Sequence, residues 1–344
     1  MARSSSPPRV GLREIARAAG VCLMTASLAL RNSPKISSAT RERVRTHANK
    51  LGYRPDPEIS RLMGRLRHSR KTRGSEVIAM LDLRRIAEPT LHPYDDGVRR
   101  GVTQRADALG FGVTLFRLTD YDGSLEKLLR VVRNRGITGA ILLPSNQPPA
   151  RHEPAQLWDG LSVLAATTSV LAPRFHQVVP NQLYNIMTLI ERVQAKGYKK
   201  LGAVIGETLE KRTAHQYSLA LTWHGHRERI LILPHSDTPD VSAGRIKAWL
   251  KTAQPDVVIT QDGDAMLKML KDGGRARRIG VVSLSNRADN LMPFQDQLPQ
   301  LIGESAVGLL TGMMFNHETG VPEHPHVTTV DGRFRDPTVK AGRA

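Results

Sequence analysis

Between residues 12 and 51 apolar positions recur at helical spacing, and beyond residue 76 they gather into short continuous runs. Leu12, Ile15, Ala16 and Ala19 fall at i, i+3, i+4 and i+7, one face of a helix over residues 12–19. Gly20 ends it, as a residue able to take positive φ at a helix C-terminus. A second helix is expected over residues 23–30, with Cys22, Ala26, Ala29 and Leu30 on its inner face and Met24, Ser27, Leu28 and Arg31 opposite. On that reading the Cys22 thiol is packed. A third helix over residues 38–51 starts from the capping run Ser37, Ser38 and Thr40, turns Val44, Ala48 and Leu51 inward, and stops at Gly52. Two short helices joined by a glycine-containing turn form a helix-turn-helix, whose second helix lies in a DNA major groove. Tyr53-Arg54-Pro55-Asp56-Pro57 reads as a stiff connector, because each proline biases its predecessor away from helix. Residues 58–67 can form one more short helix bearing Ile59, Leu62, Met63 and Leu66, and the polar stretch 68–75 marks a domain boundary.

The remainder alternates. Candidate strands lie at 77–82, 113–118, 139–143, 162–166, 200–205, 229–233, 257–260 and 279–284, with helical patterns at 94–109, 124–135, 182–196, 213–223, 243–253 and 265–271. A last helix at 304–315 and a strand at 327–330 close the chain. Continuous apolar strands separated by helices imply parallel sheets covered on both faces. Ligands in such sheets bind beyond the carboxyl ends of the strands, which selects Asp82, Pro144-Ser145-Asn146, Thr167, Asn181, Asp262 and Ser285 as cleft candidates. Strand-end Asp and Asn also cap following helices.

Charge sharpens the division. The 344 residues carry a net +18, of which residues 1–73 hold +13 and the rest only +5. A near-neutral body with a strongly basic head is the asymmetry of a chain that meets a polyanion. A length of 344 residues suits two or three domains. The single cysteine rules out an internal disulfide and fits a reducing compartment. No run approaches a membrane span, and the N-terminus lacks the apolar stretch of a signal peptide, so a cytoplasmic, nucleoid-associated protein with no membrane partner is expected.

Residues 10–57 resemble the DNA-binding head of the lactose-repressor (LacI/GalR) family. The matching elements are Ile15-Ala16-x-x-Ala19-Gly20-Val21, Thr25 and Ser27, Ile36-Ser37, Thr40-Arg41-x-Arg43-Val44 and Leu51-Gly52-Tyr53-Arg54-Pro55. The resemblance implies a homodimer on a palindromic double-stranded DNA operator, and a hinge helix that pushes a leucine, here Leu62, into the minor groove, where apolar wedges kink DNA. The implied DNA-contacting set is Leu23, Met24, Thr25, Ser27, Leu28, Arg31 and Asn32 in and after the recognition helix, Ser37 and Thr40 before the third helix, Tyr53 and Arg54 at its end, and Ile59 and Leu62 in the hinge. Departures from the family pattern are informative. Cys22 replaces the usual cap serine, and Gly11 the usual threonine at the first helix start. Leu28 stands where many members carry a base-contacting arginine, while Leu23 and Met24 form the base-reading pair. Such side chains can touch thymine methyls but cannot make the bidentate pair to guanine. Arg31 is the nearest outward cation to take that role.

Residues 76–335 are similar to the family's two-lobed periplasmic-binding-protein-like core, through Asn181 after Val178-Val179, the run Gly197-Tyr198-Lys199-Lys200-Leu201-Gly202, Asp262 and the segment 303–308. The similarity implies a small-molecule effector, a sugar or related metabolite, between the lobes, and Arg212 is the candidate for its arginine contact. The expected fold class is an all-α helix-turn-helix head joined to an α/β core with parallel sheets. The expected organisation is a tail at 1–9, the head at 10–57, hinge and linker at 58–75, the sensing and dimerising core at 76–335, and a tail at 336–344.

Other chemistry finds little support. His224-x-His226 and His324-x-His326 each offer two histidines and no cysteine partner, so no metal site is expected. No phosphate-binding glycine motif or Gly-x-Ser-x-Gly elbow appears, and neither a cofactor nor enzymatic activity is expected. Two other functions stay open: a DNA-binding dimer whose core senses nothing, and a solute-binding protein with an incidental basic head.

Overall fold

The computed structural model describes residues 11–30, 33, 36–53, 76–86, 92–145, 147–148, 150–275, 278–284 and 292–336. The chain divides into two compact units, one up to Glu76 and including residues 311–319, the other holding the rest.

The head is built on alanines. Helices α1 (Leu12–Ala18), α2 (Leu23–Leu30) and α3 (Ser38–Lys50) bury Ile15, Ala16, Ala19, Ala26, Ala29, Val44 and Ala48 against one another. Leu12, Val21, Leu30, Ile36 and Tyr53 close the edges of this core. Glu14 reaches back so that its Oε2 accepts from the Gly11 amide at 2.6 Å, which satisfies one amide at the start of α1. Gly20 takes φ +62°, and the chain leaves α1 with Val21 N–H donating to the Ala16 carbonyl at 3.0 Å. The Ser37 hydroxyl caps α3 by accepting from the Thr40 amide at 3.3 Å. Cys22 departs from the packed position expected of it. It is exposed, just ahead of α2, and its sulfur accepts from the Thr25 amide at 3.4 Å. The thiol takes the cap's place because the first turn of a helix leaves amides without partners, and a sulfur one residue outside the helix can reach one.

The second unit carries two six-stranded sheets. The first runs, in order, β13 (Val327–Val330), β7 (His176–Pro180), β5 (Ser162–Ala165), β3 (Gly139–Leu142), β1 (Val77–Asp82) and β2 (Gly112–Arg117), all parallel. The second runs β14 (Arg333–Arg335), β12 (Phe294–Asp296), β11 (Gly280–Ser283), β10 (Val257–Thr260), β8 (Leu201–Gly206) and β9 (Ile230–Leu233), parallel except for β14. A two-stranded pair, β4 (Ala150–Arg151) and β6 (Val170–Ala172), flanks the first lobe. Helices α4 (Pro93–Ala108), α5 (Leu125–Asn134), α6 (Gln182–Ala195), α7 (Glu207–Arg212), α8 (Gln216–Trp223), α9 (Pro239–Ala253), α10 (Gly263–Asp272) and α11 (Pro299–Asn316) connect the strands. The second sheet is covered on both faces, by one apolar cluster that includes Ile186, Leu189 and Tyr217 and another that includes Trp249, Met266 and Leu270.

The helix expected at 213–223 begins only at Gln216, and a further helix, α7, precedes it at Glu207–Arg212. Ala214 (φ 51°) and His215 (φ 61°) are consecutive non-glycine residues in the left-handed region, each of which costs on the order of 1 kcal/mol or more. The buried carboxylate of Glu210 holds this turn, accepting from the Ser218 hydroxyl at 2.7 Å and the Ser218 amide at 3.2 Å.

Glycines set a close helix crossing. A Cβ on Gly101 of α4 would lie 2.0 Å from the Gln300 carbonyl oxygen, and one on Gly303 of α11 would lie 2.2 Å from that of Val98. The two backbones therefore touch directly. Gly101→Ala is expected to lower the urea-unfolding free energy by roughly 2–3 kcal/mol through overpacking. Gly308, on the same α11 but with nothing within 4 Å of a Cβ, gives the opposite result: Gly308→Ala should raise stability by about 0.5–1 kcal/mol. Equal midpoints for the two variants would contradict the crossing.

Candidate functional site

On the head, the start of α2 is unusual for what it exposes. Met24 is 69% and Leu23 45% accessible, and Thr25, Ser27 and Leu28 are half-buried beside them. Among the described residues of the head, none covers the two large apolar side chains. The Thr25 hydroxyl is 3.1 Å from the Cys22 sulfur, and this hydrogen bond lowers the thiol's pKa. Ser37 is exposed and donates its hydroxyl hydrogen to Thr40 Oγ1 at 2.9 Å, while Tyr53 packs against the alanine core. Arg31, Asn32, Arg54, Ile59 and Leu62 lie outside the described residues.

In the second unit a cleft of about 740 Å³ opens where the strands of both sheets end. Pro144, Thr167 and Pro180 face it from the first lobe, and Gly206, Leu233, Asp262 and Ser283 from the second, all at or just past strand carboxyl ends. Arg212, at the end of α7, lines the cleft and donates from Nη1 across it to the Ser145 carbonyl, which also accepts from the Ser169 hydroxyl at 2.8 Å. Burial pulls the Arg212 guanidinium below its ordinary pKa. The Tyr94 and Tyr217 phenols beside it are pushed well up, by burial first, against the opposing pull of the same arginine.

The other cleft candidates divide. Asp262 lines the cleft while its Oδ1 caps α10, accepting from the Ala265 amide at 3.0 Å. Ser145 adjoins the lining through its carbonyl, while its hydroxyl oxygen accepts from the Gln147 amide. Asn181 caps α6 and donates from Nδ2 to Asp331 at 2.8 Å, between the lining residues Pro180 and Gln182. Asn146 and Ser285 lie outside the described residues. Asp82 is not among the lining residues. Its buried carboxylate accepts from Arg84 Nε at 2.8 Å and Nη2 at 2.5 Å and from Arg99 at 2.6 Å, which leaves it saturated by two cations. Burial alone would raise the Asp82 carboxyl, but the hydrogen bonds and charges of Arg84 and Arg99 outweigh it and hold it below the usual value.

Sequence reasoning missed Tyr94 and Asp95 in the cleft, although Pro93 and two acids in the first turn mark that helix start. It also missed the polar groups at the crossings between lobes. Gln182 accepts from the Tyr217 hydroxyl and donates to Gln297 Oε1 at 3.4 Å, and Gln297 donates to the Leu284 carbonyl at 2.8 Å. Gln182 and Gln297 are 115 positions apart, so no local pattern joins them. Among the described residues no cluster of three His, Cys, Asp or Glu could hold a metal ion, and no helix is long and apolar enough to cross a membrane.

Residues 11–56 match the family model described as bacterial regulatory proteins, lacI family. The chain is 30% identical over 129 residues to the HTH-type transcriptional regulator DegA of Bacillus subtilis (strain 168), covering 37% of this chain and 34% of that one. It is 27% identical over 134 residues to the maltose regulon regulatory protein MalI of Vibrio furnissii, covering 39% of this chain and 88% of that one. The match thus spans about a third of DegA's length. Two solved structures share the fold. A transcriptional regulator CelR–cellobiose complex superposes with a TM-score of 0.60 at 20% identity, covering 95% of this chain and 98% of that one. The lac repressor dimer bound to operator and the anti-inducer ONPF superposes with a TM-score of 0.58 at 15% identity and the same coverage.

The Asp82 cluster yields a test of its own. Asp82→Asn leaves two guanidinium groups facing a neutral amide, and a loss of about 3–5 kcal/mol is expected near neutral pH. The folded pKa is depressed, so this contribution is present above the unfolded carboxyl value of about 3.9 and is lost as pH falls through the folded one. Urea unfolding at pH 7 and pH 3 should show the gap between wild type and variant shrinking at the acid end. A constant gap would mean that the aspartate's charge is not what matters.

Proposed function

We propose that this chain, whose head is a domain of the lacI family of bacterial regulatory proteins, is a cytoplasmic transcriptional repressor that binds a palindromic operator as a homodimer and responds to a small molecule in its cleft. The observation that carries the reading is the exposed start of α2, where Leu23 and Met24 stand out from a fully packed three-helix head. A lone apolar pair in water gains nothing. In a major groove it meets thymine methyls, and Thr25, Ser27 and Leu28 flank it. Ser37, Thr40 and Tyr53 are placed as phosphate contacts, for which hydroxyls suffice.

The cleft supports the second half. Hydroxyls, amides and carboxylates from both lobes converge on a space large enough for a sugar-sized molecule, with Arg212 and Asp262 on its wall. A sugar or a related polar metabolite suits that lining, and the fold relative holding cellobiose supports it. One observation favours a second reading, a dimeric DNA binder that no longer senses. Arg212 already bridges the lobes through the Ser145 carbonyl, so a shut cleft needs no ligand to hold it.

Selection of random duplexes by the purified chain tests the head. A palindrome of roughly 14–20 base pairs is expected, rich in A·T at the positions facing α2. Met24→Ala should cost about 1 kcal/mol on the selected site and little on unrelated DNA. Enrichment of no motif would overturn the reading. The cleft is tested by thermal shift across neutral and acidic sugars, where a ligand at 100 times its dissociation constant stabilises by about 2.7 kcal/mol. A shift that vanishes in Arg212→Ala places the ligand in the cleft. No shift across the panel would favour the non-sensing reading.

A further inference from the structure

In a parallel α/β lobe, strand N-termini and helix C-termini share one end, opposite the end that forms the cleft. In the second lobe that far end comprises residues 197–200 before β8, 224–229 before β9, 254–256 before β10, and the turns leading from α10 to β11. These loops form one platform. The Asp256 carboxylate accepts from the Lys199 and Lys200 amides at 2.7 and 3.0 Å, and the Gly280 amide donates to the Asp256 carbonyl at 2.9 Å. A Cβ on Gly280 would lie 2.6 Å from the Tyr198 hydroxyl, which shows how closely the first loop abuts the last.

The platform is strongly cationic. Lys199, Lys200, Arg227 and Arg278 are exposed on it, with Arg229 and Arg275 half-buried beside them, against the acids Glu228, Asp256 and, at the end of α10, Asp272. None of the six has an ion-pair partner among the described residues. Some arginines and lysines elsewhere in this unit are paired, as Arg84, Arg100, Arg130, Lys211 and Arg245 are, while others, such as Arg105 and Arg174, are single and scattered among the described residues. The cleft end of the same lobe is acidic by comparison, with Glu207, Asp262 and Asp264 on its lining. Lys251 and Lys271 also lie near this end, but each sits in the last turn of a helix, where a cation offsets the helix dipole and needs no partner. Arg227 and Arg229 belong to a single 3-10 turn too short to build a comparable dipole, and Lys199, Lys200, Arg275 and Arg278 lie outside any helix. Beside them stands Trp223 at the end of α8, 83% accessible.

We propose that this platform is a second DNA-contacting surface, which binds the phosphate backbone of duplex DNA independently of sequence and of the head. Like charges crowded on a fixed scaffold repel one another, and a phosphate chain relieves that repulsion while releasing its own counterions. Apart from Trp223 the platform's described residues offer no exposed large apolar anchor of the kind a protein partner would bury, and its cations are spread over several loops rather than gathered in one pocket. A polyanion with evenly spaced charge fits that spread. Neither operator reading by the head nor a ligand in the cleft is required for such binding.

The test uses the full chain and a 40-base-pair duplex of arbitrary sequence. Trp223 is the only accessible tryptophan, since Trp158 and Trp249 are buried, so quenching of its fluorescence reports on the platform. Duplex DNA is expected to quench it. Replacing Lys199, Lys200, Arg227 and Arg278 by Gln should abolish the quench. It should also reduce the slope of log affinity against log salt by about 0.9 for each phosphate no longer neutralised, up to about 3–4. The motif selected by the head should stay the same. Separate K199Q/K200Q and R227Q/R278Q chains, checked by thermal melting, should each give about half the change if the fourfold variant does not fold. An unchanged slope and quench in a folded variant would overturn the proposal. Equal quenching by poly-glutamate at matched charge would also overturn it, in favour of an acidic protein partner. Failure of the head to select any motif would count against the head alone and leave this slope difference in place.

Discussion

Three segments of the chain pass between the two sheets at one narrow place, and each carries backbone polar groups that must find partners there without sealing the cleft beside them. The chain leaves β7 at Pro180, returns after β12 into α11, and crosses again between Val330 and Arg333. Asn185 is the centre of the solution. Its Oδ1 accepts from the Gly332 amide at 2.7 Å and from Gln295 Nε2 at 3.3 Å, so one buried side chain ties segments 147 and 110 positions away. Gly332 is required by space, since a Cβ there would lie 2.5 Å from the Asp296 carbonyl oxygen. Buried polar groups left unpaired cost about 1–3 kcal/mol each, so loss of the Asn185 side chain would take this partner from both the Gly332 amide and Gln295 Nε2. The same topology binds the lobes into one unit. The edge strand β13 joins the first sheet only after most of the second lobe has been laid down in the chain, so neither lobe owns a contiguous sequence.

Much of this was legible in one dimension, and the limits have physical causes. The eight strands read as continuous apolar runs all formed within a residue or two, because a strand buried on both faces must be apolar throughout. The head's three helices likewise follow from spacing, since a core made of alanines admits only positions that face inward. Strands of three residues, such as β12 and β14, are too short to show a period. The left-handed turn just ahead of α8 was hidden for a different reason. Ala214 and His215 are ordinary helix-compatible residues, and only the Glu210 carboxylate beneath them holds the left-handed turn. The cleft was half visible. Strand ends locate it, but which strand-end acid is available depends on what else is near. Asp262 faces the cleft, while Asp82, identical by the strand-end rule, is consumed by arginines at positions 84 and 99.

Charge is organised at three depths, and each does something different. The Asp82 cluster is buried and structural, where removing one partner is costly because the others cannot be resolvated. Arg212 is buried beside the cleft with a carbonyl rather than a carboxylate as its hydrogen-bond partner, so its charge is retained at the wall of a polar cavity. The loop cations at the far end of the second lobe are set on a scaffold without ion-pair partners among the described residues, which makes them a surface feature with a long-range field. The head adds the largest share of the net charge, over its first 73 residues.

On the proposed function, the bond between Arg212 and the Ser145 carbonyl decides how a ligand acts. It joins the lobes directly, so it favours one pose of the cleft whether or not anything is bound. A ligand that left this bond intact, with equal affinity for both poses, would shift nothing however tightly it bound. A ligand that took the Arg212 donors for itself would have to replace that lobe-to-lobe bond with bonds of its own to both walls. Asp262 and Thr167 face the cleft from opposite lobes and are the natural places to find them. Bonds to both would shut the cleft more firmly than Arg212 does alone. Bonds to one wall only would release it. On the proposed function, the sign of the response is set by the span of the ligand, in a cleft beside crossings where Gln182, Gln297, Asn185 and Gln295 hold the segments by their amide groups.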